Sequence, residues 1–309
     1  MRAKLLALAA ALAVLSLGTA PARAALNVFA CEPEWSALAK ELGGDDVSVF
    51  TATTARQDPH QIQARPALIS RLRAADLAVC TGAELEIGWL PVLLRQAANP
   101  RVQPGQPGFL TATEYVRLLE APTRLDRAEG DIHAAGNPHI QTSPVNIRAV
   151  AVAFGQRLAQ LDPSRAAAYA QRSQAFLARW DQAIAQWQAK AAPLKGIGVV
   201  AHHKSWVYLL NWLGMVEVGT IEPKPGVPPG AAYLAQLIDE IPRRQARLII
   251  HSAYEDPRPD RFVGDKTELP VVMLPYTVGG TDRAQDLFGL FEDTIDRLLA
   301  GLGGRVGRS

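Results

Sequence analysis

Apolar and polar positions follow two different periods along this chain, and the changes of period divide it. Continuous apolar runs, "LNVFAC" (26–31), "VSVFTA" (47–52) and "DLAVCTG" (76–82), have the character of short strands buried on both faces. Between them "EPEWSALAKELGG" (32–44) and "RPALISRLRAA" (65–75) carry apolar residues at helical spacing. The first is closed by glycine and the second opened by Pro66. Another helix is predicted around "LEIGWLPVLLRQA" (85–97). A looser stretch, "NPRVQPGQPGFL" (99–110), then leads to a strand or helix at "EYVRLL" (114–119). From about Val145 to Lys190 the pattern is helical throughout, with Asp162-Pro163 interrupting it as a cap and first-turn proline. "PSRAAAYAQRSQAFLARWDQAIAQWQAKA" (163–191) alone would make about 40 Å of helix. Strands then resume at "GIGVVAHH" (196–203), "EVGTIE" (217–222), "ARLIIHS" (246–252) and "LPVVMLPYT" (269–277). Helices at 205–214 and 231–245 intervene, and one at 281–302 closes the chain. Strands alternating with helices predict parallel, helix-covered sheets. The expected fold is therefore α/β, with two doubly wound parallel-sheet lobes joined by one long rigid helix. The lobes are expected at 25–144 and 193–309, with the connecting helical region at 145–192.

The first residues do not belong to that plan. "MRAKLLALAAALAVLSLGTAPARA" has a basic start (Arg2, Lys4), an apolar run from Leu5 to about Leu17, and an Ala22-Arg23-Ala24 cleavage signature. The run falls short of the roughly 20 apolar residues a membrane span needs. A secretory signal at 1–24, cleaved after Ala24, predicts a soluble periplasmic protein. Of 309 residues, 48% are hydrophobic and 20% charged, enough for one large or two medium cores. Without Arg2, Lys4 and Arg23 the 32 basic residues fall to 29, against 30 acidic ones. That balance, with no basic run, excludes nucleic acid as a partner. Two cysteines, Cys31 and Cys80, remain in an oxidising compartment. They end the first and third strands, which are neighbours in a sheet ordered 2-1-3. A separation of about 4.8 Å lets them bond, so a disulfide is expected.

The candidate chemistry lies in the six histidines, His60, His133, His139, His202, His203 and His251. A histidine taken singly is more often a cap or a satisfied core residue. Here His60 follows the second strand, His139 sits in the loop before the helical region, and His202 and His203 end the first strand of the second lobe. In open α/β sheets ligands collect beyond the carboxyl ends of strands. Three imidazoles facing one cleft could provide most of a tetrahedral zinc site. No His-Glu pair at short ligand spacing accompanies them. Trp89, Trp206 and Trp212 read as core.

Several segments together resemble the bacterial zinc/manganese ABC-transporter solute-binding proteins. "TARQDPHQIQARPALISRLRAADLAVCTGAELEIGWLP" (54–91) is similar to that family's Asp-Pro-His element and the strand and turn that follow it. "GNPHIQTSP" (136–144) resembles its second Asn-Pro-His segment. "LDPSRAAAY" (161–169) resembles the start of its backbone helix, and "HKSWVY" (203–208) its His-x-x-x-x-Tyr element. The resemblance covers nearly the whole mature chain. It implies a two-lobed receptor with a metal in the cleft, held by His60, His139 and His203, with His203 chosen over His202. The family's manganese receptors carry a carboxylate at the third position and its zinc receptors a histidine, so Zn²⁺ is implied over Mn²⁺. Two departures stand out. Only "RAEGDIHAAG" (127–136) remains of the His-rich loop many members carry, with His133 its sole histidine. Where an acid usually follows the last strand, this chain reads "VVMLPYTVGGTD" (271–282), with Pro275 or Tyr276 at the expected position. The fourth ligand stays open between His133, Glu222, Asp282 and water. His251 is expected to have no metal role.

The expected function is extracytoplasmic capture of a divalent transition metal, with delivery to the membrane permease of an ABC importer, by a monomer that is not an enzyme. The alternative is a secreted zinc metalloenzyme with a three-histidine site and an open water position. A receptor for an organic solute would want aromatic and arginine residues in the cleft instead.

Overall fold

A computed structural model of the chain describes residues 24–122, 130 and 133–303; the leader expected at 1–24 falls outside these but for Ala24. The first lobe holds β1 (Leu26–Ala30), α1 (Pro33–Gly43), β2 (Val47–Thr51), α2 (Pro66–Ala74), β3 (Leu77–Cys80), α3 (Leu90–Ala97) and β4 (Phe109–Thr111). The second holds β5 (Gly198–Ala201), α6 (Val207–Leu213), β6 (Val216–Thr220), α7 (Ala231–Arg244), β7 (Ala246–Ser252), α8 (Arg258–Thr267) and β8 (Val271–Leu274), closed by α9 (Leu287–Gly303). Between the lobes lie α4 (Pro144–Leu161) and α5 (Ala166–Lys190).

The sheets are ordered β2-β1-β3-β4 and β6-β5-β7-β8, and every strand pair is parallel. All four residues of β3 and of β5 are buried, which is why these strands read as unbroken apolar runs. In α1, Trp35, Leu38, Ala39 and Leu42 make one buried stripe, and Pro33 occupies the first turn. The same chain order on both sheets puts the carboxyl ends of β1–β3 and β5–β7, with the loops that follow them, at one cleft.

The helical middle is two helices rather than one. At the break, the Asp162 carboxylate accepts from Ser164 Oγ at 2.5 Å and from Arg165 at 2.7 Å. α5 then runs back along α4, with Arg148 paired to Asp181 at 2.5 Å and Gly155 packed closely on Ser173. The 25-residue α5 is the long joining helix. Its Phe176, Trp180 and Trp187 pack on Phe288 and Phe291 of α9. Trp180 Nε1 donates to the Pro144 carbonyl at 2.8 Å. α8 was not expected from the sequence. Only Asp260, Val263 and Gly264 of it are buried, too thin a stripe for a helical period to show. Cys31 and Cys80 form a disulfide with a Cα–Cα distance of 4.8 Å, as expected for neighbouring strand ends.

Candidate metal centre

Each of three histidines reaches the cleft from a different element, and each is held by local chemistry. His60 lies in the turn after β2. Its own N–H donates to Asp58 Oδ1 at 3.0 Å, and Trp89 Nε1 grips the Pro59 carbonyl at 2.8 Å. His139 follows Asn137-Pro138, and its N–H donates to Asn137 Oδ1 at 3.0 Å. The Asn137 amide donates to the Lys204 carbonyl at 2.7 Å, and Tyr208 Oη donates to the Asn137 carbonyl at 2.6 Å. The segment carrying His139 is thereby tied to the segment carrying His203, which leaves β5. Tyr208, the tyrosine of "HKSWVY", performs that tie.

The ring centroids of His60, His139 and His203 lie 5.3 to 5.7 Å apart. One nitrogen from each ring falls within 4.8 Å of the others. The Nδ1 atoms are all engaged: His60 with Asp58 Oδ1 at 2.8 Å, His203 with Glu222 Oε2 at 2.7 Å, His139 with Tyr276 Oη at 2.8 Å. A carboxylate on Nδ1 favours the tautomer with its proton there and leaves the Nε2 lone pair of His60 and His203 for a metal; the Tyr276 hydroxyl can either accept from or donate to His139 Nδ1. His60 Nε2 is buried with no hydrogen-bond partner among the described residues. The site can therefore offer one imidazole nitrogen from each ring to a single cation.

Electrostatics separates the rings. Burial, then the charges of His60, His203 and His133, holds His139 well below the ordinary histidine range. Burial works against a charged His203 too. There the Glu222 carboxylate, with Glu255 and Asp58 behind it, prevails, and the pKa is raised. His133, packed 5.4 Å from His60 by ring centroid, is pushed down to about 4 by burial and by the charges of His60 and His203.

The other candidates fall elsewhere. Glu222 backs His203 and also accepts from Gly226 N–H at 2.9 Å. Asp282 is exposed. His202 points away, its Nδ1 on Asp260 Oδ2 at 2.7 Å, and His251 places Nδ1 on the Ser252 carbonyl at 3.0 Å. Sequence reading missed Asp58 and Tyr276 as partners of the site. For Asp58 the signal was present, an acid two residues before a histidine. Tyr276 lies 137 residues from His139 in sequence and gives no local sign. It is buried, with φ +63°, a rare backbone state for an aromatic residue. A tight turn imposes it: a Cβ on Gly280 would meet the Pro275 carbonyl oxygen at 1.9 Å.

Comparison with known proteins bears on the family and the fold. A family model described as zinc-uptake complex component A, periplasmic, matches residues 28–301. The high-affinity zinc uptake system protein ZnuA of Yersinia pestis is 26% identical over 208 residues, 61% of this chain and 63% of that protein's length. The manganese ABC transporter substrate-binding lipoprotein scaA of Streptococcus gordonii is 20% identical over 290 residues, 90% of this chain and 89% of its own. Among solved structures, a crystal structure of ZnuA superposes with a TM-score of 0.73 at 23% identity. That match covers 88% of this chain and 99% of the other, and it shows the shared fold.

Proposed function

The chain belongs to the zinc-uptake component A family of solute-binding proteins, and from that premise we propose that it captures Zn²⁺ outside the cytoplasm and delivers it to the membrane permease of an ABC importer. The ligands are His60, His139 and His203. One observation carries the reading: three rings from three elements converge with one nitrogen of each within 4.8 Å of the others, while each Nδ1 is held by a partner of its own. An all-imidazole set suits zinc, whereas Mn²⁺, lowest in the divalent affinity order, favours oxygen donors. The zinc uptake protein of Yersinia supports the same choice by its name. The scaA relative marks the manganese branch, where the resemblance expects a carboxylate in place of His203.

The protein works as a periplasmic monomer after removal of residues 1–24, with lobes at 25–144 and 193–309 around the helical region 145–192. Among the described residues no helix is long and apolar enough to cross a membrane. The metalloenzyme alternative needs a general base beside a metal-bound water. Asp58 and Glu222 both sit on the Nδ1 side of their rings, the side away from a metal on Nε2, so neither serves.

Competition titration against a chromophoric zinc chelator tests the site. His60→Ala, His139→Ala and His203→Ala should each weaken zinc binding markedly, while His251→Ala leaves it nearly unchanged. Full-strength binding by His203→Ala, or wild-type protein that prefers Mn²⁺ to Zn²⁺, rejects the proposal.

A further inference from the structure

A zinc ion bound at about 2.0–2.1 Å by three nitrogens takes a fourth donor to complete its tetrahedron. Two of the nearest acids are committed, while Glu255, whose Oε2 accepts from Ser252 N–H, keeps a buried Oε1 without a partner on the His202 and His203 side. Asp58 and Glu222 hold Nδ1 atoms on the far sides of the rings that would bind the metal, and Tyr276 does the same for His139. Asp282 is exposed. His133 stands differently. Its ring centroid is 5.4 Å from that of His60, the same spacing the three ligand rings keep among themselves, and 6.4 Å from that of His139. Both of its ring nitrogens are buried, and neither is held by a well-formed hydrogen bond among the described residues. Buried polar atoms are nearly always paired, and beyond a contact with the Ala83 backbone these nitrogens have no such partner, so beside a histidine cluster they call for a ligand.

The backbone around His133 is fastened to both lobes. Ala134 N–H donates to Glu84 Oε2 at 2.8 Å, on the turn after β3. Gly136 N–H closes back on the His133 carbonyl at 3.1 Å. Gly130, at φ +87°, lies so close to the second lobe that a Cβ there would meet the Pro225 carbonyl oxygen at 2.3 Å. His133 is thus held over the cleft beside His60 and His139, with its nitrogens outside the 4.8 Å set the other three form, so that joining them requires its ring to turn inward. We propose, resting on the zinc-receptor reading above, that His133 supplies the fourth donor, so that the cargo ion is enclosed by four imidazoles. The chain then needs no acid after the last strand, and Tyr276 can occupy that place as the partner of His139.

Cobalt(II) loaded into the full-length mature protein reports the fourth donor through its visible spectrum. In the wild type, added thiocyanate should leave the spectrum unmoved, because no exchangeable solvent ligand is present. In His133→Ala and His133→Asn the spectrum should shift with thiocyanate and return towards the wild-type form with added imidazole. Both variants should bind zinc roughly ten- to a hundredfold more weakly. A wild-type spectrum that responds to thiocyanate as the variants do overturns the proposal and leaves the three-histidine site standing. Variant spectra identical to wild type before any addition overturn it equally. Failure of wild-type protein to take up either cobalt or zinc defeats the three-histidine reading itself, and this proposal with it.

Discussion

His203 and Glu222 show how a single contact sets the conditions under which the site works. Burial alone would keep this ring neutral, yet the carboxylate at 2.7 Å, aided by Glu255 and Asp58, favours the imidazolium. Zinc must therefore displace a proton from Nε2 while Nδ1–H stays on Glu222. With the pKa raised above about 6.5, proton competition begins above that pH and grows as pH falls. His139 contributes little to this loss, because burial and its charged neighbours keep it neutral further down. Glu222→Gln should move the acid limb of zinc binding to lower pH. At pH 8 it should weaken binding by roughly ten- to a hundredfold, as a ligand loses its charged partner. The two pH profiles should then converge on the acid side. Chelator competition from pH 5 to 8 measures both, and an acid limb that does not move excludes Glu222 as the controlling group. Sequence could single out the three histidines that the structure brings together, because each sits in a short segment that resembles the family's motifs. It could weigh Glu222 only as a ligand, because which ring nitrogen an acid touches depends on a fold that brings residues 203 and 222 face to face.

At the scale of elements, the strands were readable because burial on both faces leaves an unbroken apolar run. Elements with one thin buried edge were not. β4 has three residues and α8 buries only three of its ten. The hairpin of α4 and α5 was hidden for a different reason: Asp162-Pro163 marks a break but not the direction the chain takes after it. The disulfide was legible because sheet order and strand ends determine its geometry. It joins the ends of β1 and β3 across a sequence separation of 49 residues, and both sulfurs lie in the core between the sheet and α2–α3. Closing a loop of that length removes about 4 kcal/mol of unfolded-state entropy in the chain-entropy account. Cys31→Ser with Cys80→Ser, or reduction of the wild type, should cost about 2–5 kcal/mol in urea unfolding. His60 should stay in place, because it is fixed by Asp58 and Trp89 rather than by the cysteines. A double variant as stable as the oxidised protein would assign the pair no structural weight.

Over the whole molecule, the two lobes inferred from alternating periods are less separate than that pattern implies. One apolar cluster runs from Val28 and Trp35 in the first lobe through Phe154, Trp180 and Trp187 of the joining helices to Val199 and Leu274 in the second. Polar ties cross as well, with Thr277 Oγ1 donating to Glu34 Oε2 at 2.5 Å and Tyr208 holding Asn137. No local pattern could reveal this, because helix faces that look like two separate stripes are the two sides of one core. The consequence is mechanical. Lobes already packed together have little room to swing, so zinc should act by linking His60 to His203 across a cleft that is nearly closed before it binds. Zinc at a thousandfold excess over its dissociation constant should stabilise the folded state by about 4 kcal/mol, raising the melting midpoint by about 7 °C. The transition should remain single, since the core is continuous, and the radius of gyration from X-ray scattering should not change measurably. His203→Ala removes the second lobe's ligand and should abolish most of the shift without altering the metal-free midpoint by a comparable amount. Calorimetry that resolves two transitions, with zinc raising only one, would show that the lobes melt independently and that the shared core does not couple them.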